Sequence, residues 1–375
     1  MFAIHAPMSP AFEYVFPAIR GQQARREYFV SMCPITLIPK IFLFDEEELV
    51  PELRAQRTLN KARIPEMARY ILDNPESYAF SALTASVDGD LTFEPLANAD
   101  NEAKRIGLLH VPMSARFIIN DGQHRRAAIE AALRENPDLA HESIAVVLFQ
   151  DRGLKRCQQL FADLNRHAIR PSKSIGVLYD HREEGSEIAR LLVMRSKIFR
   201  ETVEMERSTL SAGSRKLFTL SALYSATKAL LQGLPEGTID ARAAQAQEFW
   251  EAVAEQLPEW TLVREHKLSA GEIRRDRIHT HGVVLQAIGR AGNALLRRNQ
   301  KNWKSVLKKL AGMDWSRSNP MWEGRATIGG RVSKSMQNVV LTTNLIKKQL
   351  GLPLSAEEER LEDALNRGEI IHVET

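Results

Sequence analysis

Arg116-Phe117-Ile118-Ile119-Asn120-Asp121-Gly122-Gln123-His124-Arg125-Arg126-Ala127-Ala128 is the stretch that decides how this 375-residue chain is read. The apolar run 116–119 predicts a buried strand, Asn120-Asp121-Gly122 a tight turn, and 123–134 a helix. A second strand is predicted over 144–149, after Pro137 and a short polar loop. A further helix over 154–164 would place Leu160, Phe161 and Leu164 on one face. Strand, turn, helix, strand and helix in succession predict a mixed α/β domain.

The turn also carries chemistry. A glycine that opens a helix after a strand leaves backbone N–H groups and the positive end of the helix dipole facing the turn, a geometry that attracts phosphate. His124, Arg125 and Arg126 add side-chain donors, and their positive charge at a helix start opposes the dipole unless an anion is present. Asp121, Gly122, Gln123, His124, Arg125 and Arg126 are therefore candidate phosphate or nucleotide ligands. A second reading stays open, in which Asp121 caps the helix and the arginines pair with carboxylates of the fold such as Glu130. Neither GxxxxGK[ST] nor GxGxxG occurs, which argues against a P-loop ATPase and a dinucleotide-binding dehydrogenase.

Upstream, Ile64, Met67, Ala68 and Ile71 recur at helical spacing, with Pro65 in the first turn and Asn74-Pro75 as the stop. The segment 80–93 carries Asp88-Gly89 between β-favouring residues and is expected to be a hairpin. Downstream of about 180, strand-like alternation gives way to helical patterns at 217–231, 241–256, 281–298 and 303–310. Ser355 and Glu358 form a capping-box pattern at the head of a short acidic helix. The expected organisation is a mixed α/β domain over 1–180, a basic helical domain over 181–350 and an acidic tail over 351–375.

At 44% hydrophobic and 26% charged residues the composition is that of a folded globular protein, and the length favours two domains. Cys33 and Cys157 are single and distant, so no disulfide framework or zinc ribbon is indicated. No Lys or Arg precedes Arg20, which is wrong for a secretory signal, and no apolar run is long enough to span a membrane. A cytoplasmic protein is expected.

The net charge of +4 conceals segregation: 264–310 holds 12 Lys/Arg against 3 Asp/Glu, 311–350 holds 6 against 2, and 351–375 holds 2 against 7. Such a basic module suits a polyanion, although a solvated face balanced elsewhere would look the same. Arg290, Arg297, Arg298, Lys301, Lys304 and Lys308 accompany an apolar helical face and are candidate contacts to duplex DNA. The segment 214–231 reads either as part of a helix-turn-helix or as an ordinary amphipathic helix. His279 and His281 near Glu272 have metal-ligating chemistry, but the helical pattern around them argues against a metal site. Trp303, Trp315 and Trp322 suit base stacking or a core, and Cys33 suits a buried position more than a thiol sensor.

Asp121-Gly122-Gln123-His124-Arg125 resembles the signature of DGQHR-domain proteins, whose core is similar to the ParB/sulfiredoxin fold. There the equivalent turn cradles nucleotide phosphates. Phe161-Ala162-Asp163-Leu164-Asn165-Arg166-His167 is similar to the second box of that fold, which implies that Asp163, Asn165 and Arg166 hold phosphate or its metal. Gln123 stands where ParB has Glu and where sulfiredoxin has its catalytic Cys, so thiol chemistry is not implied. Over its length the chain resembles the DNA sulfur modification protein DndB family, at 16–23, 28–34, the DGQHR box, 161–174, 279–290 and 330–335. That resemblance implies an α+β fold and a DNA-binding transcriptional repressor associated with DNA phosphorothioation, with other DNA sulfur modification proteins as partners. It names no obligatory cofactor. The alternative is an NTPase or nuclease that holds a nucleoside triphosphate and Mg at the DGQHR turn, and a homo-oligomer is left open.

Overall fold

The computed structural model describes residues 12–42, 62–96, 102–150, 171–298 and 302–369. The chain divides into Met1–Ile169 and Arg170–Thr375, each with its own apolar core. A seven-stranded sheet organises the first and helices the second, so the class is α+β.

In the first unit β1 (Glu13–Gln23) and β2 (Arg26–Pro34) form a hairpin whose turn residues, Ala24 and Arg25, take φ of 49° and 63°. The chain continues through α1 (Ile38–Ile41), α2 (Arg63–Leu72), β3 (Leu83–Asp88), β4 (Thr92–Pro95), β5 (Ile106–Pro112), β6 (Arg116–Asp121), α3 (Gln123–Glu135) and β7 (Ser143–Gln150). The strand order is β4-β5-β1-β2-β7-β3-β6, antiparallel except where β3 meets β7. Alternate residues of β2, β5 and β7 face the core, as Leu109 and Val111 do on β5. Ile71 of α2 and Ala128, Ile129 and Ala132 of α3 belong to the same core as the buried strand residues. The sheet is curled. Tyr14 on β1 and Phe117 on β6 lie four strand positions apart, about 19 Å in a flat sheet, yet their ring centroids are 6.2 Å apart.

The segment 80–93 is not a hairpin. β3 pairs on one side with β7 and on the other with β6, so both its edges are filled, and β4 crosses to the opposite end of the sheet to pair with β5. The strand, turn and helix over 116–135 and the strand at 143–150 stand where the sequence places them. The helix expected over 154–164 lies outside the described residues.

The second unit contains α4 (Lys173–Tyr179), α5 (Glu184–Arg195), α6 (Phe199–Thr202), α7 (Leu220–Leu231), α8 (Ile239–Ala254), α9 (Pro258–Arg264), α10 (Ala270–Asp276), α11 (Gly282–Arg297), α12 (Trp303–Leu307), α13 (Met336–Leu350) and α14 (Ala356–Asn366). Its centre is the pair α7 and α11, flanked by α13 and by α5. The two helices approach closely: a side chain at Gly289 of α11 would stand 2.2 Å from the Ala226 carbonyl oxygen of α7. α4 belongs here and not with the sheet, because Val177 is buried in the helical core, so the unit begins ahead of the expected boundary at 180. α14 opens with the Ser355–Glu358 capping box and docks on α13. There Lys347 pairs with Glu358, and Arg325, with Lys348, surrounds the buried Glu362. The acidic tail thus supplies countercharge to the basic module. No helix among the described residues is long and apolar enough to cross a membrane.

Candidate nucleic-acid interface

Internal hydrogen bonds tie the DGQHR turn to its surroundings, although Arg125 Nε is buried with no partner among the described residues. Gly122 takes φ 105°, and a Cβ there would lie 2.3 Å from Leu83 Cδ2, so the position demands both left-handed freedom and the absence of a side chain. Arg125 folds back to donate to Asp121 Oδ2 at 2.7 Å, to Ser81 Oγ at 2.7 Å and to the Ala82 carbonyl at 3.2 Å. Arg126 donates to the carbonyls of Phe42 and Pro39, both at 3.0 Å, and pairs with Glu130. Gln123 reaches the carbonyls of Ile119 and Asn120, the latter buried with its own side-chain amide on Ser86 Oγ. His124 is held below its ordinary pKa by partial burial and by Arg63 and Arg125, which favours the neutral ring.

Both guanidinium groups expected to grip phosphate are therefore occupied by the fold's own acids and carbonyls. They staple α3 to α1 and to the strand entering β3. The internal ion pair expected between Arg126 and Glu130 is present, whereas Asp121 pairs with Arg125 and does not cap α3. Leu83 packs against the side of Gly122 where a Cβ would stand. Asp163, Asn165 and Arg166 lie outside the described residues.

The cationic candidates of the second unit separate into three groups. Arg290 and Arg297 stand two turns apart on α11 and line a groove of about 670 Å³ with α13 and α14. Arg297 also donates to the Gly233 carbonyl at 3.3 Å. Lys304 is paired with Glu248 and lies over Trp303, so it offers little free charge. Arg290, Arg297, Arg298 and Lys308 form no ion pair with another described residue, and Arg298 and Lys308 are exposed. Lys301 lies outside the described residues.

The remaining sequence candidates have structural roles. Trp260 Nε1 donates to His279 Nδ1 at 3.0 Å, which puts the His279 proton on Nε2, facing Glu259 at 3.7 Å. His281 Nε2 donates to the Arg274 carbonyl at 2.8 Å. Burial of the ring, followed by the repulsion of Arg317, lowers its pKa to about 4. Trp315 and Trp322 are buried and stacked on each other, and Trp303 stacks on Phe249. α7 buries Leu220, Leu223, Ala226, Leu230 and Leu231 along its core-facing side.

A feature that single-segment reading does not reach lies at the start of α11. There Lys173, Thr280, Gly282, Arg317 and Lys334 line one cleft of about 930 Å³. These residues come from 161–174, 279–290 and 330–335, three stretches that carry the family resemblance, together with the loop before 330. Their separation in sequence hides the cluster; the signal available was the recurrence of Lys and Ser in both Ser172-Lys173-Ser174 and Ser333-Lys334-Ser335.

Neither a curated protein nor a solved structure matches the chain. The family model DndB, described as DNA-sulfur modification-associated, matches residues 16–353, which takes in the curled sheet, the DGQHR turn and the helical unit through α13. The chain belongs to the DndB family of DNA-sulfur modification-associated proteins.

Proposed function

We propose that this protein is a DNA-binding transcriptional regulator of DNA sulfur modification, a repressor that contacts duplex DNA through its helical unit. The observation that carries the reading is the set of unpaired cations Arg290, Arg298 and Lys308 in a chain whose family is tied to DNA sulfur modification. Cations that no acid of the protein neutralises can contact backbone phosphates and displace counterions, which gives affinity that falls steeply with salt. The DGQHR turn contributes architecture to this function, because its arginines are committed to the fold.

The test is an electrophoretic shift with the duplex upstream of the protein's own coding region, repeated across salt concentrations. Log affinity should fall linearly with log salt, by about 0.9 for each phosphate contacted. The triple reversal Arg290→Glu, Arg298→Glu and Lys308→Glu should abolish the shift while leaving the circular dichroism spectrum unchanged. A reporter driven by the same upstream duplex should be derepressed by that variant. Salt-independent binding, or a triple variant that shifts DNA normally, refutes the reading.

A further inference from the structure

The cleft at the start of α11 is positively charged by construction. Lys173, Arg274, Arg275, Arg317 and Lys334 line it with Glu272, and of these cations Arg275 is paired with Asp276. Each wall is independently fixed. Ser172 caps α4 by accepting from the Ile175 N–H, and the buried Ser174 hydroxyl donates to the Arg207 carbonyl at 3.0 Å, so Lys173 is held between two anchored serines. Arg274 donates to the carbonyls of Ser211, Ala212, Ser214 and Lys216, tying the loop 211–216 to α10. Arg317 donates to the Gly330 carbonyl at 3.2 Å, which joins it to the strand-like segment that carries Lys334.

Lys173 and Lys334 form no ion pair with another described residue. The Lys334 Nζ lies 3.4 Å from where a side chain on Gly282 would begin, at the first residue of the 16-residue helix α11. An ammonium beside the positive end of a helix, with a second lysine on the facing wall, is electrostatically unfavourable when alone. Burial first, and Lys173 second, accordingly hold its pKa below the ordinary lysine value. The Ser221 hydroxyl lines the same space and can donate to an oxygen ligand, and the Thr280 hydroxyl, now on the Arg277 carbonyl at a long 3.4 Å, can turn to do the same. Several converging cations, few acids and neutral donors make up the complement of a phosphoryl group.

We propose that this cleft is a phosphate-binding site, in which Lys173, Lys334 and Arg317 hold a phosphoryl group with the Ser221 and Thr280 hydroxyls as further donors. The group belongs either to a free nucleotide or to a DNA backbone. The site stands apart from Arg290, Arg298 and Lys308 and does not require that reading to hold.

Calorimetric titration of the full chain with ATP and with pyrophosphate, beside fluorescence titration with a short DNA duplex, separates the two sources. Lys334→Met keeps the aliphatic stem, Lys173→Gln alters an exposed position and serves if the first variant does not fold, and Lys334→Arg retains the charge. If the ligand is a nucleotide, ATP or pyrophosphate binds the wild type, Lys334→Met or Lys173→Gln weakens this about tenfold, and Lys334→Arg restores it. If it is DNA, small ligands do not bind, but the same variants weaken the duplex and reduce the salt slope by about 0.9. Wild-type affinity for all three probes in both charge-removing variants overturns the proposal, as does a wild type that binds none of them. Failure of the duplex alone, with ATP retained, counts against the DNA reading and not against the cleft.

Discussion

Arg125 lies one helical turn beyond Asp121 and closes on it at 2.7 Å, so the first and last residues of the DGQHR sequence are ion-paired across the Gly122 turn. Because the same guanidinium holds Ser81 and Ala82, Arg125→Ala is expected to destabilise the protein by about 2 kcal/mol, the range for charge-assisted hydrogen bonds. Urea denaturation of wild type and variant measures this. An arginine kept in place only for a ligand would give the opposite result, with unchanged or increased stability in its absence.

Gly122→Ala should be more damaging than an ordinary glycine replacement. The left-handed backbone costs a non-glycine residue about 1–2 kcal/mol, and the new methyl meets Leu83 Cδ2 at 2.3 Å. Leu83→Ala in the same chain removes the contact but not the backbone cost, and its own cavity is destabilising. The double variant is therefore expected to show partial compensation, a loss smaller than the sum of the two single losses, in the same denaturation experiment.

Acid should weaken the helical unit in a defined window. His281 has a folded pKa of about 4 against an ordinary value of 6.5, so between these values the unfolded chain binds more protons than the folded one. Its contribution is complete above pH 6.5 and is lost as the pH falls toward 4, with a slope of at most about 1.4 kcal/mol per pH unit. Burial lowers the pKa of His279 as well, in the same sense. Glu259, held at about 2 by the His279 contact, adds a further loss below its ordinary 4.5. Denaturation midpoints measured from pH 7 to 4 should decline, and His281→Gln should flatten the upper part of the curve.

Cys33 is 2% exposed, and burial pushes its thiol up to about 12. At pH 8 about one molecule in ten thousand then carries the reactive thiolate. Iodoacetamide should leave Cys33 unmodified in the native protein and label it after denaturation, as read by mass spectrometry of the peptide. Rapid native labelling would restore the thiol-sensor reading.

Glu362 is 3% exposed and accepts from Arg325 and Lys348, while Arg325 also donates to the Leu341 carbonyl at 2.9 Å. Glu362→Ala strands a buried guanidinium, and breaking such a pair from one side costs about 3–5 kcal/mol. Thermal unfolding of this variant should show a marked fall in midpoint, and Arg325→Met combined with Glu362→Leu should recover much of it. A tail that merely trails in solvent would give no change.

What the sequence reveals follows how local each interaction is. β6, Gly122 and α3 are legible because strand apolarity, turn residue and helix period are consecutive, and the Ser355–Glu358 capping box because its partners are three residues apart. The Asp88-Gly89 segment misleads: a turn signal says that the chain bends, not which strands flank one another, and β3 finds both partners far away. At the DGQHR turn the competing ion pairs, Arg125 with Asp121 and Arg126 with Glu130, sit at helical i,i+4 spacing. The second is foreseen from the sequence; the first is hidden when Asp121 is taken for a helix cap. The cleft of Lys173 and Lys334 was illegible because tertiary packing alone brings residues so distant in sequence together.

The strand order of the first unit has a consequence for synthesis. The β1–β2 hairpin is complete once residue 34 has left the ribosome, but its outer edges are covered by β5 and β7, the latter ending at Gln150. Both edges stay open until β5 is made, and the β2 edge stays open until β7 is made, able to pair with other chains. Production of this protein should therefore depend on holdase chaperones that shield the emerging hairpin, and slowing translation between codons 34 and 143 should cost more soluble yield than slowing it after 150.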